Sequence, residues 1–236
     1  MRPGVDALRT FYASRDGRRV AHVLAARIGP MLRRATNARL LGVGYPLPAI
    51  AGLDAGRIER IALAMQSAQG VEPWTSSGRG NAALAVDAEL PFPGAAFDQA
   101  IACHALEFGD THALLAELWR VLAPAGELIA VVANRASLWT HFERTPFGQG
   151  QPFGRNGLDA LLAESGFETV ERHTLLVAPP LPGLRRLDPL LTRIMPRLGG
   201  IHIVRARKSA GAALNPVGRV RAAPRPAGAT AFAAPD

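Results

Sequence analysis

Between Asn81 and Asn134 the chain alternates in a way that few folds can accommodate. Ala82 to Val86 is a short apolar run, Leu90-Pro91-Phe92-Pro93 is turn chemistry, and Phe97 to Ala102 is a second apolar run. Asp110 then stands where a helix cap belongs, ahead of Leu114, Leu115, Leu118, Val121 and Leu122 on one helical face. Ala123-Pro124-Ala125-Gly126 stops that helix, and Glu127 to Ala133 is a third strand. Strands separated by amphipathic helices build a parallel sheet with helices on its faces.

The remaining chain extends the pattern. Val5 to Arg34 has apolar residues at helical spacing, with Gly17 marking a break, which predicts two helices. Arg39 to Gly44 and Ile58 to Met65 read as the first two strands, so Ala82 to Val86 is the third. Asn156 is placed to cap a helix ending at Gly166, and Phe167 to Val177 reads as the next strand. Leu184 to Leu198 predicts a basic amphipathic helix, with Leu187, Leu190, Leu191, Ile194 and Met195 on one face, and Gly200 to Ala206 the last strand. The expected fold is α/β, Rossmann-like and doubly wound.

Leu90-Pro91-Phe92-Pro93, Phe97-Asp98, His104-Ala105-Leu106-Glu107 and Leu118 to Gly126 resemble the LPFP, FD, HxLE and RVLxPGG motifs of class I S-adenosylmethionine-dependent methyltransferases. The flavour is the small bacterial methyltransferase type 11-like domain, and the resemblance runs from about Arg39 to Val177. It implies a mostly parallel seven-stranded sheet closed by a terminal antiparallel hairpin, with S-adenosyl-L-methionine as cofactor. It also implies methyl transfer to an acceptor that the sequence does not identify. The alternative is a catalytically inactive methyltransferase-fold binding or regulatory protein. The expected division is a helical leader over 1–37, a methyltransferase-like domain over 38–208 and a disordered basic tail over 209–236.

Expected cofactor contacts follow from the resemblance. In the family an acidic residue stands two positions before a GxGxG loop; here the acid's place holds Gly42, and of the loop glycines only Gly44 survives in Gly44-Tyr45-Pro46-Leu47-Pro48. Pro46 and Pro48 lack an N–H, so two donors are lost, whereas Tyr45 adds a hydroxyl and an aromatic face. The second strand of the family presents an acid to the ribose hydroxyls, and Gln66 stands near that place. A neutral amide there forfeits about 1–2 kcal/mol relative to a carboxylate. Asp87, with Ala88 and Glu89 beside it, matches the acid and small residue that receive the adenine; the other reading of Asp87 is a turn cap.

Cys103 and His104 follow from the carboxyl end of the fourth strand, where ligands sit in open α/β sheets, and complete the expected cofactor set. His104 is the catalytic candidate, as general base for an acceptor hydroxyl or amine, or else a residue that orients its loop. Glu107 shares that position. Cys103 reads as a small buried hydrophobe. Trp74 covers the adenine or plugs the core edge. The segment Thr145-Pro146-Phe147-Gly148-Gln149-Gly150-Gln151-Pro152-Phe153-Gly154 either covers a ligand or fills the core with its two phenylalanines. The leader is either a structural helix pair or a cover for the cofactor mouth.

Composition narrows the partners. With Cys103 the only cysteine, intramolecular disulfides and cysteine metal clusters are excluded, no metal is expected, and a reducing cytoplasm is the expected compartment. The net charge of +8 carries a single lysine, Lys208, among 27 basic residues, and Arg219, Arg221 and Arg225 lie in a tail whose one acid is Asp236. No apolar run approaches the ~20 residues of a spanning helix, and no membrane partner is expected. Nucleic acid contact is conceivable only through the tail, whose one aromatic is Phe232, and is not favoured.

Overall fold

Seven strands form one sheet in the order β3-β2-β1-β4-β5-β7-β6 in a computed structural model that describes residues 2–32, 38–53, 58–72, 82–86, 89–181 and 183–209. The strands are β1 (Ala38–Gly44), β2 (Ile58–Gln66), β3 (Ala82–Ala85), β4 (Phe97–Cys103), β5 (Leu122–Ala133), β6 (Phe167–Leu175) and β7 (Ile201–Lys208). The first five pair in parallel, and β7 runs antiparallel to both β5 and β6. This is the Rossmann-like sheet with a closing hairpin that the sequence predicts.

Each central strand is apolar on both sides because each side carries a packed layer. On one face Leu41, Ala100, Ala102, Leu128 and Ala130 meet α4 (Thr111–Val121) through Leu114, Leu115 and Leu118, and α5 (Arg155–Glu164) through Leu158 and Leu162. On the other face Leu40, Leu63, Met65, Ile101 and Ile129 meet Val20, Leu24 and Ile28 of α2 (Arg15–Leu32). The crossover from β1 to β2 begins with only the four-residue α3 (Leu47–Ile50), so α2 fills that layer of the sandwich.

Several boundaries differ from the sequence reading. The leader breaks at Ser14, not Gly17: the Ser14 N–H donates to the Phe11 carbonyl at the end of α1 (Val5–Ala13), and its Oγ accepts from the Gly17 N–H. Gly17 instead lets the helices touch, since a Cβ there would lie 1.9 Å from the Phe11 oxygen. Gly154, not Asn156, is the N-cap of α5; Asn156 lies inside the helix, exposed. The stretch after α4 belongs to β5 and bulges between its pairings of Phe97 with Leu122 and Gln99 with Glu127, with Ala125 at φ 59°.

The 184–198 segment is a broken arm, not one helix. Short 3₁₀ turns at Leu184–Leu187 and Pro196–Leu198 flank α6 (Asp188–Ile194), because Pro189 and Pro196 each remove an N–H from a continuous ladder. Its apolar side chains do not pack as expected: Leu190 is 55% and Ile194 61% exposed. Among the described residues no helix is long and apolar enough to cross a membrane.

Candidate functional site

Sheet register brings three of the expected residues to one level. Val43 pairs with Ala64 on one side and Ala102 on the other, so the residues two further along, Tyr45, Gln66 and His104, emerge together at the carboxyl ends of β1, β2 and β4. All three are buried, at 3%, 1% and 1% exposure. Both polar atoms of the Gln66 amide and the His104 Nδ1 are without a protein hydrogen bond. Native interiors rarely leave such groups unpaired, because each costs about 1–3 kcal/mol.

The loop after β1 is shaped by its substitutions. Gly44, at φ 81°, turns the chain where a Cβ would lie 2.2 Å from the Cys103 oxygen. The Tyr45 N–H donates to that same oxygen at 2.7 Å and is thereby consumed. A Cβ on Gly42 would lie 2.5 Å from Pro46 Cγ and 2.8 Å from Leu63 Cδ2, so the proline ring closes over the glycine. Gly42 and Pro46 are therefore sterically complementary: any side chain at 42, an acid included, would meet the proline ring.

The leader lies across these ends. Tyr12 of α1 stacks on Tyr45 with ring centroids 5.7 Å apart, and its hydroxyl is 2.7 Å from His104 Nε2. Phe11 reaches Phe147, which packs against His104 at 5.1 Å. The Tyr45 hydroxyl donates to Glu72, whose other oxygen accepts from Arg9 of α1. The Val5 N–H donates to the Gln69 carbonyl at 2.7 Å, and Arg2 donates to the Phe108 carbonyl. One short segment thus bridges the ends of β2 and β4 over the buried polar groups. Beyond Phe11 lies a cleft of ≈ 570 Å³ whose lining includes Asp6, Thr10, Arg144 and Thr145.

Electrostatics separate the two titratable candidates. Burial lowers the His104 pKa to about 4, so its imidazole is neutral at pH 7 and serves as a hydrogen-bonding group. His104 also sits at φ 51°, a left-handed conformation that costs roughly 1 kcal/mol outside glycine. Burial raises Glu107 to about 7; one of its oxygens accepts from the Ala133 N–H at 3.0 Å, and the other has no protein partner. The Cys103 thiol is fully buried and pushed well up, first by desolvation and then by Glu107, which leaves it un-ionised.

The other expected residues fall in three groups. Glu89 is exposed, and its N–H closes a turn on the Val86 carbonyl. Trp74, Asp87, Ala88 and the tail over 210–236 lie outside the described residues. In the doubled Pro-Phe-Gly segment Phe147 is buried at 1% and Phe153 packs at the edge of the other core layer, so these rings fill the interior instead of standing exposed. Sequence reasoning missed Tyr12 as a partner of His104, because its spacing beside Phe11 reads as an ordinary apolar face. It also missed Glu72 and the buried Gln69.

Comparison with known proteins bears on the fold. Residues 42–130 match the model of a methyltransferase domain. No curated protein sequence matches the chain. Solved structures with a similar fold include a SAM-dependent methyltransferase from Archaeoglobus fulgidus, with a TM-score of 0.59 at 16% identity, covering 84% of this chain and 96% of that one. A possible histamine N-methyltransferase from Thermotoga maritima gives 0.57 at 16% identity over 87% and 96%. The [4+2]-cyclase SpnF gives 0.53 at 20% identity over 81% and 80%.

Proposed function

We propose that this chain, whose residues 42–130 match the model of a methyltransferase domain, binds S-adenosyl-L-methionine and transfers its methyl group to an acceptor. The observation that carries the reading is the pair of buried, unpartnered polar groups, the Gln66 amide and His104 Nδ1, level with Tyr45 at the strand ends. The Gln66 amide suits the nucleoside half of such a cofactor, with a donor and an acceptor for ribose hydroxyls, and His104 Nδ1 is left to face the methyl acceptor. The methionine half has less, since Pro46 and Pro48 have no N–H and the Tyr45 N–H is already bonded.

When bound, the cofactor supplies an electrophilic methyl group; the chain supplies position. In this reading Gln66 holds the ribose, Asp87 accepts from the adenine amine, Ala88 leaves room for the ring and Glu89 stands at the rim. Gly42 and Gly44 shape the loop, Tyr45 walls it, and Cys103 contributes its backbone. His104, neutral at pH 7, accepts from the acceptor's O–H or N–H and aligns it, while the leader keeps water out. Orientation of this kind accounts for much of the barrier reduction in a transfer that needs little acid–base help.

A second reading, a binding or regulatory protein without turnover, is favoured by one feature: Tyr12 already satisfies His104 Nε2 and stacks on Tyr45. Calorimetric titration with S-adenosylmethionine and S-adenosylhomocysteine separates the two. Saturable binding is expected, weakened about fivefold to thirtyfold by Gln66→Ala, the loss of one or two hydrogen bonds, and also by Asp87→Ala. No heat at millimolar ligand from protein that circular dichroism reports as folded overturns the first reading and leaves the second.

A further inference from the structure

Among the described residues, exposed large apolar side chains concentrate in the arm over 184–198. Leu184, Leu187, Leu190, Ile194, Met195 and Leu198 are each between 37% and 61% exposed, and no residue of α6 is buried. Scattered exposed leucines need no explanation, but six within one fifteen-residue segment form an apolar surface that soluble proteins seldom leave bare. The arm is nonetheless firmly held. The Asp188 carboxylate accepts from the Ala178 N–H at 2.7 Å and pairs with Arg19 of α2 at 2.7 Å. The Asn134 amide donates to the carbonyls of Arg197 and Gly199.

Charge decides what covers this surface. The segment has four arginines and one acid, Asp188, which is spent on Arg19; Arg186, Arg193 and Arg197 are exposed among the apolar side chains. A second copy of the arm would bring like charges together. The chain's own tail, with Arg219, Arg221 and Arg225 against Asp236, would do the same. The occupant is therefore both apolar and anionic. Two prolines break the arm into short turns, so it offers no continuous helical face for a partner helix. A soft, anionic surface matches it: leucine, isoleucine and methionine enter the acyl boundary while arginines meet the headgroups.

We propose that the 184–198 arm docks the protein on the surface of an anionic lipid bilayer. This is interfacial contact and involves no spanning segment, so it revises the expectation of no membrane partner without conflicting with the lack of a spanning helix. Asn134, at the carboxyl end of β5, holds the arm's last turn, so docking presents to the bilayer the end of the sheet where Tyr45, Gln66 and His104 emerge.

The test is flotation of the full chain with vesicles of phosphatidylcholine alone and of phosphatidylcholine mixed with phosphatidylglycerol. Association with the mixed vesicles and not the neutral ones is expected. The double substitution Leu190→Glu with Ile194→Glu is expected to weaken it by about tenfold or more, and Arg193→Gln with Arg197→Gln by roughly tenfold. Both pairs sit at exposed positions, and thermal unfolding should be unchanged. Failure to float with either vesicle overturns the proposal, as does flotation indifferent to Leu190→Glu/Ile194→Glu, which would assign binding to the tail. A dimer in sedimentation that this same variant abolishes overturns it in favour of a second copy. None of these readouts depends on cofactor binding.

Discussion

Glu107 and His104 lie three residues apart at the end of β4, and burial pushes their charges in opposite directions. Glu107 has its folded pKa raised from 4.5 to about 7, so the fold prefers its protonated form; the associated stability is full below pH 4.5 and is lost as pH rises through 7. His104 has its folded pKa lowered from 6.5 to about 4, so its contribution is full above pH 6.5 and is lost as pH falls through 4. Between about pH 4.5 and 6.5 the slopes oppose each other, and above that range only the Glu107 loss remains. Glu107→Gln keeps an acceptor for the Ala133 N–H and removes the titration. Urea unfolding across pH 5 to 8 should therefore find the variant progressively more stable than the wild type as pH rises, by on the order of 3 kcal/mol at pH 8. A wild-type profile that runs parallel to the variant's, with a constant gap from pH 5 to 8, would mean that Glu107 is not held in a low-dielectric setting. The sequence identified both residues as well placed, since His104-Ala105-Leu106-Glu107 follows directly from an apolar strand. It gave no sign of Tyr12, whose contact with His104 spans 92 positions and depends on how the leader lies across the sheet.

Elements were legible where local signals and tertiary demands agree. The central strands were legible because a strand buried on both faces must be a continuous apolar run, and the turns between such runs carry Gly, Pro and Asp, although β5 begins at Leu122, five residues before the expected Glu127. Where a residue serves a contact instead of a local break, the reading failed. Gly17 looks like a helix breaker but lies within α2, and Ser14 makes the break by ending one helix and capping the next. The arm failed for the converse reason: its apolar spacing reads as a packed face, yet the fold leaves that face uncovered. The Gly17 assignment predicts a large effect from one methyl group. Gly17→Ala places a Cβ 1.9 Å from the Phe11 oxygen and 2.5 Å from the Tyr12 Cα, both backbone, so α1 must move. A cost of about 1–3 kcal/mol is expected, with faster hydrogen exchange confined to residues 5–13 and to the end of β4 that they cover. Gly157→Ala in α5 is the control: nothing lies within 4 Å of its added methyl, and a gain of up to about 1 kcal/mol is expected. Equal effects from the two substitutions would refute the packing role of Gly17.

At the scale of the molecule the two ends of the sheet do different work. The carboxyl ends gather the buried polar groups of the candidate site, with the strain of His104 and the close turn at Gly44. The opposite end is tied by charge. Arg205 of β7 lies between two neighbours: its guanidinium is 3.1 Å from Glu127 of β5 and 3.2 Å from Glu171 of β6, the latter directly across the strand pair. A slip of one residue in either antiparallel pairing would turn Arg205 to the other face and leave both carboxylates without it, so the triad fixes the register of the closing hairpin. Arg205 is 8% exposed and Glu127 is partly shielded, and removing the arginine leaves carboxylates that water reaches only in part. Arg205→Leu is therefore expected to lower stability by about 2–3 kcal/mol, with little dependence on salt because the pair is screened mainly by protein. Glu127→Gln in the same background should restore part of that loss, giving a coupling of roughly 1–2 kcal/mol in a double-mutant cycle. Glu127 and Ala133 are six residues apart on one strand, which sets the triad about 20 Å from the candidate site. Sites that far apart with no shared partner behave independently. The midpoint of a cofactor titration should thus be the same for Arg205→Leu and the wild type at a temperature where both are folded. A shifted midpoint would mean that the closing hairpin and the ligand end of the sheet move as one unit, and the division of labour between the two ends would have to be abandoned.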